Sequence, residues 1–244
     1  ALPILSTVEP MAALPFHPSK AYTIRELREN AGDIFRQCEL DAARQLSGGV
    51  SLHLTDKLQN GKIVVDQGII AGCSGGMFDN IAEAAAILKT GNVGNGYFDL
   101  SIYPSSVPVN LELVKAGVHQ TLLECGAILK PCFCGPCFGA GDTPANNGFS
   151  IRHSTRNFPN REGSKVQSGQ IASVALMDAR SIAATAANKG YLTPATEFAG
   201  ESRHLQYHFD SSIYEHRVFD SHGEADPSVD VRFGPNIKDW PAMS

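Results

Sequence analysis

No apolar run in this sequence approaches the ~20 residues of a membrane-spanning helix, and its first residues do not read as a charged-then-apolar leader. Basic residues are not in excess either. Lys and Arg number 20 against 25 Asp and Glu, and the net charge of −5 argues against a general nucleic-acid binder, because nothing would neutralise a phosphate backbone. Six cysteines in 244 residues are too sparse for a disulfide scaffold. No internal repeat of roughly 20 to 50 residues stands out. What remains is an ordinary globular composition, 43% apolar and 18% charged, in a chain long enough to bury a sizeable core.

The cysteines that are present cluster. Cys132, Cys134 and Cys137 fall in a stretch kept irregular by Pro131, Gly135, Pro136, Gly139 and Gly141. Arg152, Arg156 and Arg161 follow, with His153, Asn157 and Asn160. Thiolates bind soft metals and guanidinium forks bind carboxylates or phosphates in two-pronged geometry. Clustered thiols point to metal or redox chemistry and to a reducing compartment, the cytoplasm by default. Both ends, at Ala1 and Ser244, read as cut from something longer.

Along the chain, residues 2–20 are Pro-punctuated and read as a leading arm with little regular structure. Thr23 caps a helix whose apolar face includes Ile34, Phe35, Cys38 and Leu40, with Gly32 as a point where it divides. Residues 49–55 and 62–71 read as strands, the second followed by the glycine-rich turn at 72–76 and a helix over 78–89. Strand, glycine turn, helix is the unit of a parallel sheet, and sites form at the carboxyl ends of such strands. The pattern continues with a strand at 97–103, helices over 106–125 and a strand at 126–130 that delivers the cysteine loop. Strands at 149–153 and 171–177 and a helix at 179–188 closed by Gly190 complete it. This is an α/β domain with a mostly parallel sheet over 21–192. From 193 to 244 the text turns polar and reads as a surface excursion and linker.

Cys134-Gly135-Pro136-Cys137 spells the tetrad of thiol–disulfide enzymes, whose first cysteine opens a helix. Here Phe138 to Pro144 are poor helix formers, which counts against that reading. A structural Cys₄ zinc site takes two CxxC pairs, and this chain has one pair with Cys132 and Cys73. An iron–sulfur cluster suits thiolates on donor-rich, glycine-rich turns, which both Cys73 and the 134–137 segment offer. With just three ligands, one iron would keep an open position and act as a Lewis acid. Cys38 and Cys125 read as core, Asp142 and Asn146-Asn147 as turn formers. Arg152, alternating with Ser150 and Ser154, reads as a surface residue. For His153 a structural hydrogen bond is the simpler reading.

Three motifs in order carry a resemblance. Gly72-Cys73-Ser74 before an Ala-rich helix, Cys134-Gly135-Pro136-Cys137 with Gly139, and Arg156-Asn157-Phe158 with Arg161 together resemble the aconitase superfamily of hydro-lyases, in particular its third domain. The text is closest to bacterial aconitase-like hydratases whose substrate is not evident from sequence. The resemblance implies a three-layer αβα arrangement and a [4Fe–4S] cluster on Cys73, Cys134 and Cys137. It implies Arg156 and Arg161 on substrate carboxylates, and reversible dehydration of a hydroxy acid carrying two or three carboxylates. It also implies that the catalytic base and an Asp–His pair lie on other domains, with 193–244 leading toward a swivelling one, so that this chain alone is inactive. Ser74-Gly75-Gly76 replaces the family's frequent Thr-Asn, and Thr155 replaces a frequent Asn. Cys132 is not among the implied ligands. The rival from another class is a cluster-free relative that binds RNA or another macromolecule, which the acidic composition disfavours.

Overall fold

The computed structural model describes residues 8–89, 91–94, 96–198, 205–217 and 223–228. Parts of the expected arm (1–7) and of the expected excursion and linker (199–204, 218–222 and 229–244) lie outside the described residues. The chain divides into two compact units, Ala1–Phe209 and Asp210–Ser244. In the second, the described residues form a single turn of helix, Ser212–Glu215, led by Asp210, whose carboxylate accepts from the Ser212 amide at 3.1 Å.

The first unit opens with strands β1 (Met11–Ala13) and β2 (Ala21–Thr23), then helices α1 (Ile24–Glu29) and α2 (Ala31–Gln45). A short hairpin of β3 (Leu58–Gln59) and β4 (Lys62–Ile63) precedes β5 (Gln67–Ile70), the one-turn helix α3 (Gly72–Gly75) and α4 (Phe78–Leu88). Then come β6 (Asp99–Ile102), α5 (Val107–Lys115), α6 (Val118–Glu124), β7 (Ile128–Leu129), β8 (Phe149–His153), β9 (Ser173–Met177) and α7 (Ala179–Ala187). Helix starts follow ordinary capping: Thr23, Ser106 and Asp178 each accept a backbone N–H from the first turn of the helix they open.

Seven strands form one sheet in the order β2-β1-β9-β8-β5-β6-β7. The five from β5 to β9 are parallel, and β1 joins antiparallel to both β2 and β9. The α/β fold with a mostly parallel sheet is therefore as expected. The arm is not: Met11–Ala13 is a strand, and Leu14 and Phe16 beyond it are buried. A strand of three apolar residues carries too short a pattern to announce itself.

Other differences are local. The helix after Thr23 divides at Asn30 rather than Gly32, and Leu40 is exposed, while Phe35 and Cys38 are buried as expected. Residues 49–55 form no strand. Leu52 and Leu54 do bury alternately, but the Thr55 amide and hydroxyl bond the Glu39 carboxylate at 2.7 and 2.9 Å instead of a neighbouring strand. The single strand expected over 62–71 breaks at Asp66, whose side chain turns to the Phe149 amide (2.7 Å) and to Lys57 (2.8 Å).

The topology also decides which strand ends meet. The chain builds from β5 outward to β7, then returns across the sheet to lay β8 against the other side of β5. Order reverses at β5/β8, the place where open parallel sheets form their crevice. One face, with Gly68, Leu100 and Ile151, belongs to the main core with the helices: a methyl on Gly68 would meet Ile182 of α7 at 3.0 Å, and Phe35 of α2 meets Phe149 edge to face. The return from β7 to β8 crosses the other face as an irregular loop whose regular structure is one 3-10 turn, Gly135–Cys137.

Candidate functional site

At the carboxyl end of β5 the backbone turns straight into α3, and Cys73 is exposed there. Two glycines make this turn possible. Gly72 has φ +76°, and a methyl on it would stand 2.9 Å from Cys137 Sγ. A methyl on Gly75 would stand 2.0 Å from the His153 carbonyl oxygen, so α3 packs directly on the backbone leaving β8. Ser-Gly-Gly after the cysteine is thus the sequence that this close approach demands.

Cys134 and Cys137 arrive from the far edge of the sheet, although two strands and three helices separate them from Cys73 in sequence. Cys137 is buried, 3% exposed, while Cys134 is exposed. Burial pushes the Cys137 thiol up. The nearby Cys134 and Cys73 push it further, while a hydrogen bond from the Thr155 backbone opposes them. Cys137 is therefore within electrostatic reach of the other two. They do not close into a cage: among the described residues no three His, Cys, Asp or Glu side chains are grouped to hold a metal ion by themselves. Thiolates at one point repel until a cation sits among them. Cys132 is half-buried, and burial raises its thiol as well.

The arginine segment leaves β8 beside this loop. Arg156 directly follows the Thr155 that bonds Cys137. Arg161 lies where the backbones of Gly139 and Gly163 nearly touch, a methyl on Gly139 meeting Gly163 Cα at 2.8 Å. Both arginines are exposed, and among the described residues neither pairs with a carboxylate. Glu162, a possible partner, is buried and bonded to Ser164, with its Oε2 unpartnered among the described residues. Asn157 is no ligand candidate: its amide donates to the Ala13 and Leu14 carbonyls at 3.3 and 2.8 Å, bracing the segment on the end of β1.

Arg152 is the residue that sequence reasoning misplaced. It does share a face with Ser150, but that face lies under the cysteine loop, and Arg152 is 1% exposed. Nε donates to Ser150 Oγ at 3.0 Å and Nη1 to the Pro136 carbonyl at 2.6 Å. Nη2 donates to Gln67 Oε1 at 3.2 Å and to the Asp142 carbonyl at 3.1 Å. Burial brings its pKa down to about 10, against the opposing charges of Glu162 and Asp142. The available signal was position: β8 lies inside a parallel sheet, whose strands are covered on both faces. Asp142, expected as a turn former, does take φ +48°, but its carboxylate accepts from Tyr103 Oη at 2.6 Å and faces Lys130 at 3.6 Å. His153 makes its hydrogen bond through backbone, its carbonyl accepting from the Ala71 amide. Its Nδ1 is buried without a partner among the described residues, as are Ser74 Oγ and Ser154 Oγ.

Comparison with known proteins is consistent with this arrangement. The model of the aconitase family (aconitate hydratase) matches residues 4–184. The chain is 33% identical over 131 residues to a 3-isopropylmalate dehydratase large subunit of Nitratidesulfovibrio vulgaris, covering 53% of this chain and 31% of that protein. It is 26% identical over 200 residues to the protein of the same name from Aquifex aeolicus, covering 80% and 39%. With the mitochondrial homoaconitase of Aspergillus niger it shares 31% over 147 residues, covering 57% and 19%. The matched part thus spans well under half the length of these relatives.

Proposed function

Because the chain belongs to the aconitase family, we propose that it is the cysteine-bearing part of a hydro-lyase that reversibly dehydrates a hydroxy polycarboxylic acid. Cys73, Cys134 and Cys137 would hold a [4Fe–4S] cluster, and Arg156 with Arg161 the substrate's carboxylates. What supports this is the approach of Cys137 to the turn that carries Cys73, where a methyl on Gly72 would stand 2.9 Å from Cys137 Sγ.

The residues present fit such a group. Thiolates are the donors that iron–sulfur clusters take. Glycine at 72 keeps the space beside Cys137 free of side chain, and the hydroxyls of Ser74 and Ser154 are unpartnered donors nearby in the chain. With one iron left unligated by protein, the bound cluster supplies Lewis acidity toward a substrate hydroxyl. The protein's own contribution is positional. The two exposed guanidinium groups would present planar forks to carboxylates. No residue of this chain is assigned as base. Turnover would draw on groups in the rest of the protein and on a partner subunit such as the name "large subunit" implies for the relatives. All six thiols are free, as a reducing compartment such as the cytoplasm would keep them.

The test is an anaerobic assay of the full-length protein, reconstituted with iron and sulfide, against a panel of hydroxy di- and tricarboxylates. Formation of the unsaturated acid, followed by its ultraviolet absorbance, is expected for at least one. A fully loaded protein that dehydrates none of them would overturn the assignment.

A further inference from the structure

We propose that Arg152 is the positioning residue that sets the cysteine loop against Cys73. This role rests on the proposed function of the thiols as ligands, but a different set of contacts supports it.

The loop from β7 to β8 has one 3-10 turn as its regular structure. Tyr103 holds its Asp142 carboxylate, and one buried side chain holds two of its carbonyls. Pro136 lies between Cys134 and Cys137, and its carbonyl accepts the Nη1 donor. Asp142, at the far end of the glycine-rich part, offers its carbonyl to Nη2 and also to the Gln67 amide at 3.1 Å. One planar fork therefore holds the loop both inside the cysteine pair and five residues beyond it. Lysine could not do this, because an ammonium lacks two coplanar donors at fixed separation.

Glu162, next to Arg161 in the second segment, is buried, and its charge opposes the burial that lowers the Arg152 pKa. Gly139 and Gly163 lock the two loops together above it. Arg152 itself stands on β8, hydrogen-bonded in register with β5, and the Cys73 turn follows directly from β5. The distance between Cys73 and the pair is thus set through the sheet and this fork rather than by the loop's own structure.

The test uses the full chain with Cys132→Ser as background and a short thiol-bridging bimane as probe. Bridged peptides are mapped by mass spectrometry without any metal. We expect Cys73 to bridge to Cys134, and Arg152→Met to lower that yield roughly tenfold, as loss of charge-assisted bonds implies. Far-ultraviolet dichroism reports whether the variant stays folded, which loss of a buried charge with four partners tests. Arg152→Lys should not restore bridging. If Arg152→Met fails to fold, Gln67→Leu serves instead: it removes a partner of both the fork and Asp142, and an intermediate loss is expected. Absence of bridging in the parent, full bridging in folded Arg152→Met or in the Gln67 variant, or full rescue by lysine would each overturn the proposal. Iron uptake is measured in parallel. Arg152-dependent bridging in a parent that takes up no iron would remove the cluster assignment and leave the positioning role standing.

Discussion

Burial pushes up the pKa of two thiols, Cys38 and Cys137, in different surroundings. Cys38 lies in the core, where it donates to the Pro15 carbonyl at 2.7 Å, and burial raises it from 9.0 to about 11. The folded protein thus keeps this proton over a range in which the unfolded chain releases it. The Cys38 contribution is complete below pH 9 and is lost as pH rises toward 11, on the order of 2–3 kcal/mol over that window. Denaturant unfolding followed from pH 8 to 11 should show this decline, and Cys38→Ala should make it shallower; an identical slope would contradict the burial argument. Cys137 is different because its neighbours are themselves thiols, so a cation is what would relieve it. The exposed arginines invite the complementary experiment. A bidentate guanidinium–carboxylate contact is worth roughly 1.5–3 kcal/mol, and lysine cannot copy its fork. In the full-length enzyme Arg161→Lys should therefore keep the visible spectrum of the loaded protein and raise the substrate's Kd about tenfold or more. An unchanged Kd would remove Arg161 from the clamp.

Among the elements, α3 and β8 do most to bring the site together, and they were unequally legible. The glycine turn after β5 was readable because four small residues after a β-branched run have few other uses. What it packs on was not readable, since no local pattern encodes contact with the His153 carbonyl. Gly75→Ala tests that contact: a methyl 2.0 Å from a backbone oxygen must displace α3 or β8. We expect a cost of about 1–3 kcal/mol, a Tm lower by several degrees, and reduced bridging between Cys73 and Cys134. A Tm within a degree of the parent would show that the approach is looser than described. Along β8 the alternation placed Ser150, Arg152 and Ser154 on one face correctly. It said nothing of what covers that face, because the cover is a loop arriving from β7 at the other edge. Arg152 was misread for that reason, and Met11–Ala13 for a similar one: pairing with β9 is long-range and leaves three residues too little pattern to show. The helices α4 and α7 and strands β8 and β9 were legible within a few residues, since caps and periodicity are local properties.

In the molecule as a whole, the sheet's reversal at β5/β8 brings three separated motifs to one end of the domain. Their order in the sequence was enough to suggest the family, and the match over 4–184 places the chain in it. Neither the substrate nor the base is legible in a chain that covers between 19% and 39% of the relatives described. We propose more narrowly that Cys73, Cys134 and Cys137 together, without Cys132, would bind a cluster. Anaerobic reconstitution of the full chain with iron and sulfide, followed by iron and sulfide analysis and visible absorbance, tests it directly. The parent and Cys132→Ser should each turn brown and hold about four irons per chain, while serine at 73, 134 or 137 should lose most of the iron and colour. A parent that stays colourless, or a Cys73→Ser variant that loads as fully as the parent, would contradict it.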